Sequence, residues 1–251
     1  MKNHWNSKTE KGAIHLKEFT ATNIRNVALA GHSRAGKTTL AEALLFKAGA
    51  TDRLGKVQDG NTVCDYDPEE IKRQVSVSST IVPFVIGQTK INLIDTPGLF
   101  DFAAGMREGI RAAANVVLVL SSKSGLTVGA EKAYKLAVRQ KKAKLIYITK
   151  MDAEHANYFK VLDQLTAAFG SAACPLVFPH YVGQKVESYV DLMNNKAYTY
   201  DDKGNRTEVP IPAEEQERVD QYRNALAEVV AESDDVLMDK FFSGEEFTHE
   251  E

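Results

Sequence analysis

Short apolar runs of strand length recur along the first two thirds of the chain. They occupy residues 26–30 (NVALA), 76–86, 90–94, 116–120 and 145–148. The second and third of these runs are separated by Gly87 and Gln88, a pair typical of a tight turn. We therefore expect a hairpin at residues 76–94 and three further buried strands.

Segments with helical spacing alternate with these runs. Leu40, Leu44 and Ala48 recur at helical intervals, with Gly49 as a C-cap, and residues 129–139 and 158–169 show a similar pattern. Strands that alternate with helices indicate a mainly parallel sheet covered on both faces. The sequence therefore predicts an α/β core.

The pattern changes after Pro175. Residues 186–192, 197–200 and 206–211 are short strand candidates, and residues 201–205 (DDKGN) form a turn signal between the last two. An amphipathic helix follows, with Val219, Tyr222, Leu226 and Val229 on one face. We predict a polar N-terminal extension at 1–22, a core at 23–174 and an inserted α+β subdomain at 175–251.

Composition excludes several classes of protein. The 251 residues are 43% hydrophobic and 26% charged, as in ordinary globular proteins. No apolar run approaches the roughly 20 residues that span a bilayer, and the N-terminus lacks the apolar stretch of a signal peptide. The two cysteines show no metal-ligand spacing. We expect a cytoplasmic protein that does not bind membranes.

Charge is distributed unevenly. Residues 213–251 contain 13 acidic and 3 basic side chains, a net −10, so residues 1–212 carry +7 of the overall −3. An ordinary solvated acidic helix and an acidic face for a basic partner both explain this segment. The pattern alone does not separate the two interpretations.

The sequence GHSRAGKT matches the phosphate-loop pattern G-x-x-x-x-G-K-[ST] and lies between a predicted strand and a predicted helix. Backbone N–H groups and the helix N-terminus would surround a β-phosphate. Lys37 would contact the β- and γ-phosphates, and the Thr38 hydroxyl would bind Mg²⁺. A chance match is the alternative, and the placement between strand and helix argues against it.

A second motif, DTPG at residues 95–98, follows the run INLI. An aspartate at a strand end can hold Mg²⁺ through water, and the Gly98 N–H can face a γ-phosphate where no side chain would fit. An ordinary strand-to-turn junction would also use these residue types. The spacing of 57 residues between Thr38 and Asp95 favours the nucleotide interpretation.

A third motif, TKMD at residues 149–152, follows the run LIYI. The Asp152 carboxylate could accept hydrogen bonds from N1–H and N2–H₂ of guanine, a pair of donors that adenine lacks. Lys150 would lay its stem across the base. Asp152 as a helix N-cap is the alternative.

Together these stretches resemble the translational GTPases, specifically the GTP-binding domain of elongation factor G and its elongation-factor-G-like branch. The similarity extends from about Asn23 to the C-terminus, and GEEFT resembles the end of the family's insertion. Its motifs are NIRNVALAGHSRAGKTTLAEALL, DGNTVCDYDPEEIKR, INLIDTPGLFDF and YITKMD. The resemblance implies a P-loop NTPase fold with an inserted α+β subdomain, binding of GTP or GDP with Mg²⁺, and the ribosome as partner. It also implies that the acidic insertion faces the stalk proteins.

The resemblance carries over residue by residue. The segment 65–79 resembles the first switch, where the family's magnesium-binding threonine falls on Ser76, so the metal residues are Thr38, Ser76 and Asp95. Catalytic roles fall on Lys37, Gly98 and Arg34. The expected nucleotide-binding residues are Gly31, His32, Ser33, Arg34, Ala35, Gly36, Lys37, Thr38, Thr39, Asp95, Thr96, Pro97, Gly98, Thr149, Lys150, Met151 and Asp152.

One departure from the family concerns catalysis. The family usually has a histidine after DTPG, where it positions the attacking water, and this chain has Leu99. A group that orients or transfers a proton typically contributes about 10²–10⁴-fold. We expect slow intrinsic hydrolysis, or a water positioned by the backbone or the ribosome. Leu99 as a hydrophobic switch residue beside Phe100 is the simpler interpretation of this side chain.

Three further departures lie elsewhere in the motifs. Arg34 replaces an aspartate that helps to bind a monovalent cation, so its guanidinium could supply that charge; an ordinary surface arginine is the alternative. Thr149 replaces the usual asparagine, and guanine selectivity is expected to persist through Asp152. Gln74 replaces a usual glycine and changes the expected backbone path of the first switch.

We also expect an incomplete domain. The family's last core strand and its last guanine-contacting loop are expected beyond Glu251. We therefore expect a truncated fragment with lower nucleotide affinity than a whole domain. A monomer that binds no DNA is expected.

The leading interpretation is a GTPase that hydrolyses GTP on the ribosome through in-line attack of water. The alternative is a GTP-dependent ribosome-binding module with little or no hydrolysis, which Leu99 favours. A ribosomal-protection protein would usually keep histidine at position 99. A metabolic P-loop kinase would not need DTPG and TKMD at these positions.

Overall fold

The computed structural model describes residues 18–201, 204–248 and 251. The predicted N-terminal extension therefore lies largely outside the described residues, as do residues 202–203 of the predicted turn at 201–205. Within the described residues, no helix is both long and apolar enough to cross a membrane.

The first sheet has five strands in the order β2-β3-β1-β4-β5. Strands β1, β3, β4 and β5 are mutually parallel, whereas β2 runs antiparallel to β3 and joins it through the predicted turn at Gly87 and Gln88. Because the parallel strands share one direction, their carboxyl ends meet at the same edge of the sheet. The strands are β1 (Ile24–Ala30), β2 (Thr80–Ile86), β3 (Thr89–Asp95), β4 (Asn115–Ser121) and β5 (Ala143–Thr149).

Helices cover both faces of this sheet, as the alternating pattern predicts. Alternate residues of β4 enter opposite cores: Leu118 packs with β1 and the helices α3, α4 and α5, whereas Val119 packs with α1 and β2. The helix α1 ends one residue before Ala48, and Gly49 follows with a φ of 70°. The helices are α1 (Lys37–Lys47), α2 (Pro68–Arg73), α3 (Ala103–Ala112), α4 (Val128–Arg139) and α5 (Tyr158–Phe169).

The prediction of a strand beginning at residue 76 is wrong, because β2 begins at Thr80. The buried Glu70 carboxylate accepts hydrogen bonds from the backbone N–H groups of Val77 (2.9 Å) and Ser78 (3.0 Å). Those donors are therefore not available to a neighbouring strand. Glu70 belongs to α2, a short helix that we did not predict.

A second sheet lies after the core and is entirely antiparallel, in the order β6-β7-β8-β9. Two helices follow it. The first strand and the last helix were not predicted, and the predicted strand 206–211 ends at Val209. The elements are β6 (Val177–Val182), β7 (Lys185–Asp191), β8 (Lys196–Tyr200), β9 (Arg206–Val209), α6 (Gln216–Ala231) and α7 (Asp235–Phe242).

A third hydrophobic cluster joins this subdomain to the core. Phe178, Val190 and Val219 of the subdomain pack with Tyr158 and Leu162 of α5. The structure thus confirms the predicted class: an α/β fold with a mainly parallel sheet flanked by helices, and an antiparallel subdomain with helices.

Candidate functional site

The phosphate loop connects β1 to α1 at the carboxyl edge of the parallel sheet. Gly31 and Gly36 have φ values of 145° and 99°, which side-chain-bearing residues rarely adopt. A Cβ at Gly31 would also lie only 2.3 Å from the carbonyl oxygen of Val119. The two glycines of the motif are therefore required by the path of the loop.

Lys37 is the first residue of α1, and its side chain folds back over the loop. Its ammonium donates to the carbonyl oxygens of Gly31 (3.2 Å) and His32 (3.0 Å), and the residue is buried. Burial lowers the pKa of Lys37, while the charges of Asp95 and Asp65 oppose that shift. The loop therefore surrounds a single buried ammonium group.

The three residues predicted to bind metal come together in the structure. The Thr38 hydroxyl donates to Asp95 Oδ2 over 2.7 Å and lies 3.2 Å from the Ser76 hydroxyl. Asp95 is fully buried, and its Oδ1 has no hydrogen-bond partner among the described residues. Burial raises the pKa of Asp95 to about 6, opposed chiefly by the charge of Lys37 and the hydrogen bond from Thr38.

Asp65 is a fourth polar group at this site, and sequence reasoning gave it no role. Asp65 is 4% exposed, and neither carboxylate oxygen accepts a well-aligned hydrogen bond within the described part of the chain. Burial raises its pKa, while the Ser76 hydroxyl and the charge of Lys37 oppose the shift. A buried carboxylate whose oxygens lack well-aligned donors is costly unless a cation or donor completes it.

Two buried glutamates position the segment between α1 and β2. Glu42 of α1 accepts from the backbone N–H groups of Val63 (2.7 Å) and Cys64 (3.1 Å), immediately before Asp65. Glu70 holds the residues that immediately follow Ser76, as described above. Each glutamate is 1% exposed. Together the two glutamates hold Asp65 and Ser76 close to Thr38 and Asp95.

Glu70 also belongs to a helix cap that is visible in the sequence. Asp67 accepts from the backbone of Glu69, Glu70 accepts from the backbone of Asp67, and Pro68 occupies the first helical turn. An acidic cap, a proline and a glutamate three residues after the cap are a known signature of a helix start. The sequence therefore carries a local signal for α2 and its glutamate within the segment that resembles a switch.

Gly98 lies against the phosphate loop. A Cβ at this position would be 2.5 Å from the Lys37 ammonium and 2.5 Å from the Ser33 backbone nitrogen. The predicted requirement for a residue without a side chain therefore has a direct steric cause. Leu99 follows in an extended conformation and is half-buried. Its aliphatic side chain offers no hydrogen-bonding group.

The TKMD segment is tied to the phosphate loop by two side chains. The Thr149 hydroxyl lies 2.6 Å from the carbonyl oxygen of Ala35 and 3.0 Å from that of Leu120. The Lys150 ammonium donates to the carbonyl oxygen of Arg34 over 2.8 Å. The Ser122 hydroxyl donates to the carbonyl oxygen of Lys150 over 2.6 Å, so Ser122 also positions this segment. Sequence reasoning did not find Ser122.

Asp152 does not cap a helix. The next helix begins at Tyr158 with Asn157 as its N-cap, five residues further along. Asp152 is exposed, and its carboxylate has no partner among the described residues. The alternative interpretation of this residue is therefore excluded, and its carboxylate is free to accept hydrogen bonds from a ligand.

Some side chains in the predicted set are directed elsewhere. The Thr96 hydroxyl donates to the carbonyl oxygen of Leu29 over 2.7 Å, which ties the end of β3 to β1. Met151 packs against the third hydrophobic cluster. Arg34 is exposed at a φ of 60°, and its guanidinium has no partner among the described residues. Ser33 and Ala35 line a small pocket beside Lys150, and Thr39 is exposed on α1.

Comparison with known proteins identifies the family to which this domain belongs. Residues 22–240 match the family model described as the elongation factor Tu GTP binding domain. The chain belongs to this family. Its members are translational GTPases, so the predicted resemblance to a translational GTPase domain is confirmed, and the fold is that of a P-loop GTPase.

A solved structure supports the same assignment for the elongation factor Tu-type domain. The crystal structure of a protein from Thermus thermophilus superposes with a TM-score of 0.84 at 36% sequence identity. The match covers 90% of this chain and 34% of that protein. This chain therefore spans about one third of the length of that relative.

Proposed function

We propose that this chain is the GTP-binding domain of an elongation factor G-like translation factor that hydrolyses GTP on the ribosome. It would bind GTP or GDP with Mg²⁺, and its intrinsic turnover would be slow. One observation supports the proposal most strongly. At the end of a phosphate loop, the buried Lys37 lies beside Thr38, whose hydroxyl donates a hydrogen bond to Asp95.

The residues present fit Mg²⁺. Oxygen donors are the ligands that this ion prefers, and the site offers the hydroxyls of Thr38 and Ser76 beside Asp95. Asp95 Oδ1 and both oxygens of Asp65 are buried without well-aligned partners among the described residues, as expected for groups that a cation or its bound water would complete. When bound, Mg²⁺ would neutralise phosphate charge. Thr38 and Ser76 are the proposed direct ligands, and Asp95 and Asp65 would act through water.

Phosphate binding would draw on Lys37 and the loop backbone. The Lys37 ammonium now donates to two loop carbonyls, and a phosphate oxygen would offer it a charged acceptor, which makes a stronger hydrogen bond. Gly98 brings backbone close to the same ammonium. Its N–H is therefore a candidate donor to the γ-phosphate.

Hydrolysis would follow from position and charge rather than from a covalent intermediate. The water oxygen would bond to the γ-phosphorus while the bond to the bridging oxygen breaks, and the proton that the water loses would pass to an oxygen of the γ-phosphate. The charge of the leaving group would move onto the β-phosphate near Lys37 and the loop N–H groups. Leu99 cannot orient that water. The intrinsic rate would therefore be low unless the ribosome or backbone supplies the missing group.

Guanine recognition would rest on Asp152. Its exposed carboxylate is free to accept from both guanine donors, and Thr149 holds the segment against the phosphate loop at Ala35. Arg34 would contribute positive charge beside the phosphates in place of a monovalent cation. If Arg34→Ala changes neither nucleotide affinity nor turnover, this role for Arg34 is wrong.

One specific observation favours a second function. Because Leu99 supplies no hydrogen-bonding group, the domain could act as a GTP-dependent ribosome-binding module that hydrolyses little or no GTP. In either case the proposed partner is the ribosome, with the net −10 segment 213–251 directed towards the stalk proteins. The proposed state is a cytoplasmic monomer.

Phosphate release under multiple turnover, with and without ribosomes, tests the proposal. Wild-type chain should release phosphate faster than the Lys37→Ala variant, and ribosomes should increase the difference. If the stimulated rate does not exceed that of Lys37→Ala, the enzymatic function is wrong. Persisting GTP-dependent co-sedimentation with ribosomes would then favour the binding module.

A further inference from the structure

The loop 122–127 connects β4 to α4 and contacts both the TKMD segment and helix α5. Its path turns sharply at the end of β4, where the backbone N–H groups of Ser124 and Gly125 both donate to the carbonyl oxygen of Ser121, over 3.1 Å and 2.9 Å. Helix α4 begins directly after the loop. The loop is therefore a short turn with fixed ends, and it lies beside the proposed nucleotide site.

Ser122 attaches this loop to the TKMD segment. Its backbone N–H donates to the carbonyl oxygen of Thr149 over 2.9 Å, and its hydroxyl donates to that of Lys150 over 2.6 Å. Lys150 has a φ of 57°, in the left-handed region that residues with a side chain rarely adopt. Such a conformation persists only where the surrounding contacts determine it. The loop therefore supports a strained residue that stands two positions before Asp152, the proposed guanine-binding carboxylate.

Gln164 attaches the same loop to α5. Its side-chain oxygen accepts a hydrogen bond from the backbone N–H of Leu126 over 3.0 Å. The amide also lies directly against Gly125, because a Cβ at that glycine would be 2.2 Å from Gln164 Oε1 and 3.1 Å from its Cδ. Gly125 has a φ of 63°, so its conformation and its contact with the amide both require glycine. One hydrogen bond and one close steric contact therefore hold the loop to the helix.

Helix α5 is a firm support for the loop because it is packed on two sides. Val161 and Leu165 pack in the core with residues of α4, whereas Tyr158 and Leu162 pack with the inserted subdomain. Gln164 is exposed on the same helix, so replacing it leaves both sets of apolar contacts in place. The contribution of the amide can therefore be measured separately from the packing of the helix.

We propose that Gln164 is a positioning residue for guanine recognition, an inference that rests on the proposed function. The chain from Lys150 to Gln164 is attached to the loop 122–127 at both of its ends, and Asp152 lies between the two attachments. A carboxylate that accepts from two guanine donors at once needs a defined orientation, because hydrogen bonds weaken steeply as their geometry departs from linear. Gln164 holds the loop, and the loop holds the residue that orients Asp152.

Binding of mant-GDP and of mant-IDP, its inosine counterpart, tests the proposal. The inosine base lacks the 2-amino group of guanine, so the ratio of the two affinities measures how well the Asp152 carboxylate meets that donor. Gln164→Met keeps roughly the length of the side chain and removes the acceptor. We expect it to lower mant-GDP affinity by about fivefold, the typical effect of one hydrogen bond, and to lower the preference over mant-IDP by about threefold. The ratio does not depend on the folded fraction, because unfolded chain binds neither nucleotide.

Three further variants define the result. Gln164→Glu keeps an acceptor oxygen and should leave both affinities within about twofold of wild type. Gln221→Met makes the same change as Gln164→Met at an exposed position of α6 and should leave the preference unchanged. Gly125→Ala would place a Cβ against the Gln164 amide and should lower the preference without altering either attached side chain. Thermal melts check that each variant is folded.

Two outcomes would overturn this inference alone. An equal loss of both affinities in Gln164→Met, with the preference intact, would leave Gln164 with only a structural role. A loss of preference that Gln164→Glu shares would show that the hydrogen bond is not its cause. By contrast, if wild type shows no saturable mant-GDP binding, or no preference for mant-GDP over mant-IDP, the proposed guanine recognition is wrong and this inference falls with it.

Discussion

The hydroxyl of Thr149 lies 2.6 Å from the carbonyl oxygen of Ala35 and so joins the TKMD segment to the phosphate loop. The two segments are separated by more than a hundred residues in sequence, and the contact is partly buried. In a GTPase domain this contact would fix the distance between the base pocket and the phosphate pocket. Thr149 stands where the family usually has asparagine, and its hydroxyl still makes a hydrogen bond to the loop.

Replacing Thr149 by valine keeps the shape of the side chain and removes the hydroxyl. The single hydroxyl proton serves one of the carbonyls of Ala35 and Leu120 at a time, so the variant would leave one partly buried carbonyl without this donor, at a cost of about 1–3 kcal/mol. We expect the urea midpoint to fall and mant-GDP affinity to drop by about tenfold, which corresponds to ~1.4 kcal/mol. Thr149→Ser, which keeps the hydroxyl, should retain most of both. Unchanged affinity in the valine variant would show that the contact has no role in the site.

Glu70 offers a test of how Ser76 is positioned. Glu70→Ala would leave the N–H groups of Val77 and Ser78 without their acceptor and release the segment that carries Ser76. We expect the Mg²⁺ concentration needed for half-maximal mant-GTP binding to rise by about tenfold, with a smaller change for mant-GDP. Glu70→Gln keeps an acceptor oxygen, so its Mg²⁺ requirement should lie between those of wild type and Glu70→Ala. An equal loss for both nucleotides would indicate general destabilisation instead.

Leu99 can be replaced by the side chain that the family usually carries. Leu99→His would supply a group able to orient water, so we expect phosphate release in the presence of ribosomes to rise by about 10²-fold. Leu99→Ala removes the same aliphatic side chain without adding a polar group and should not accelerate the reaction. Similar rates for the histidine variant and wild type would mean that another group positions the water.

The buried Asp95 predicts a pH dependence of stability in the nucleotide-free chain. Its pKa is raised by burial to about 6 from an ordinary 3.8, so the folded state holds a proton there that the unfolded state has released. This favours the folded state at low pH, and the benefit is lost as pH rises through about 6. The contribution is at most about 3 kcal/mol, at ~1.4 kcal/mol per pH unit.

Urea unfolding of wild type and Asp95→Asn at about pH 4.5 and about pH 7 measures this contribution. The variant does not titrate at position 95, while Asp65, whose pKa burial also raises, remains in both proteins. The stability of the variant relative to wild type should therefore increase between the two pH values. A relative stability that stays constant or decreases would contradict the assignment of a raised pKa to Asp95.

Much of the core could be predicted because its signals are local. The strands of the core are short apolar runs, which is the pattern expected of buried strands. The phosphate loop requires glycine at Gly31 and Gly36 for conformational and steric reasons, so both residues are part of a short sequence motif. The spacing of Tyr158, Leu162, Leu165 and Phe169 predicts the helix α5; in the structure Tyr158 and Leu162 pack with the subdomain, and Leu165 and Phe169 pack with the core. At these positions the residue type needed by the fold can be recognised from neighbouring residues in the sequence.

The remainder depends on contacts that are distant in sequence. Glu42 and Glu70 are ordinary acidic residues of helices until the fold buries them against backbone N–H groups. Asp65 acquires its place only when the segment between α1 and β2 folds over Thr38. The strand β6 was missed because it contains Pro179 and the buried His180, whose Nδ1 lies 2.9 Å from Glu215. A polar residue in a buried strand obscures the apolar pattern.

Equilibrium binding of mant-GTP to this chain, competed with GTP or ATP in the presence and absence of Mg²⁺, tests the central claim most directly. The account predicts saturable binding that GTP displaces, that ATP at equal concentration displaces at least about a hundredfold less well, and that chelation of Mg²⁺ weakens; Asp152→Asn should reduce the preference for GTP. Displacement by ATP as effective as displacement by GTP, or binding that Lys37→Ala leaves unchanged, would contradict it.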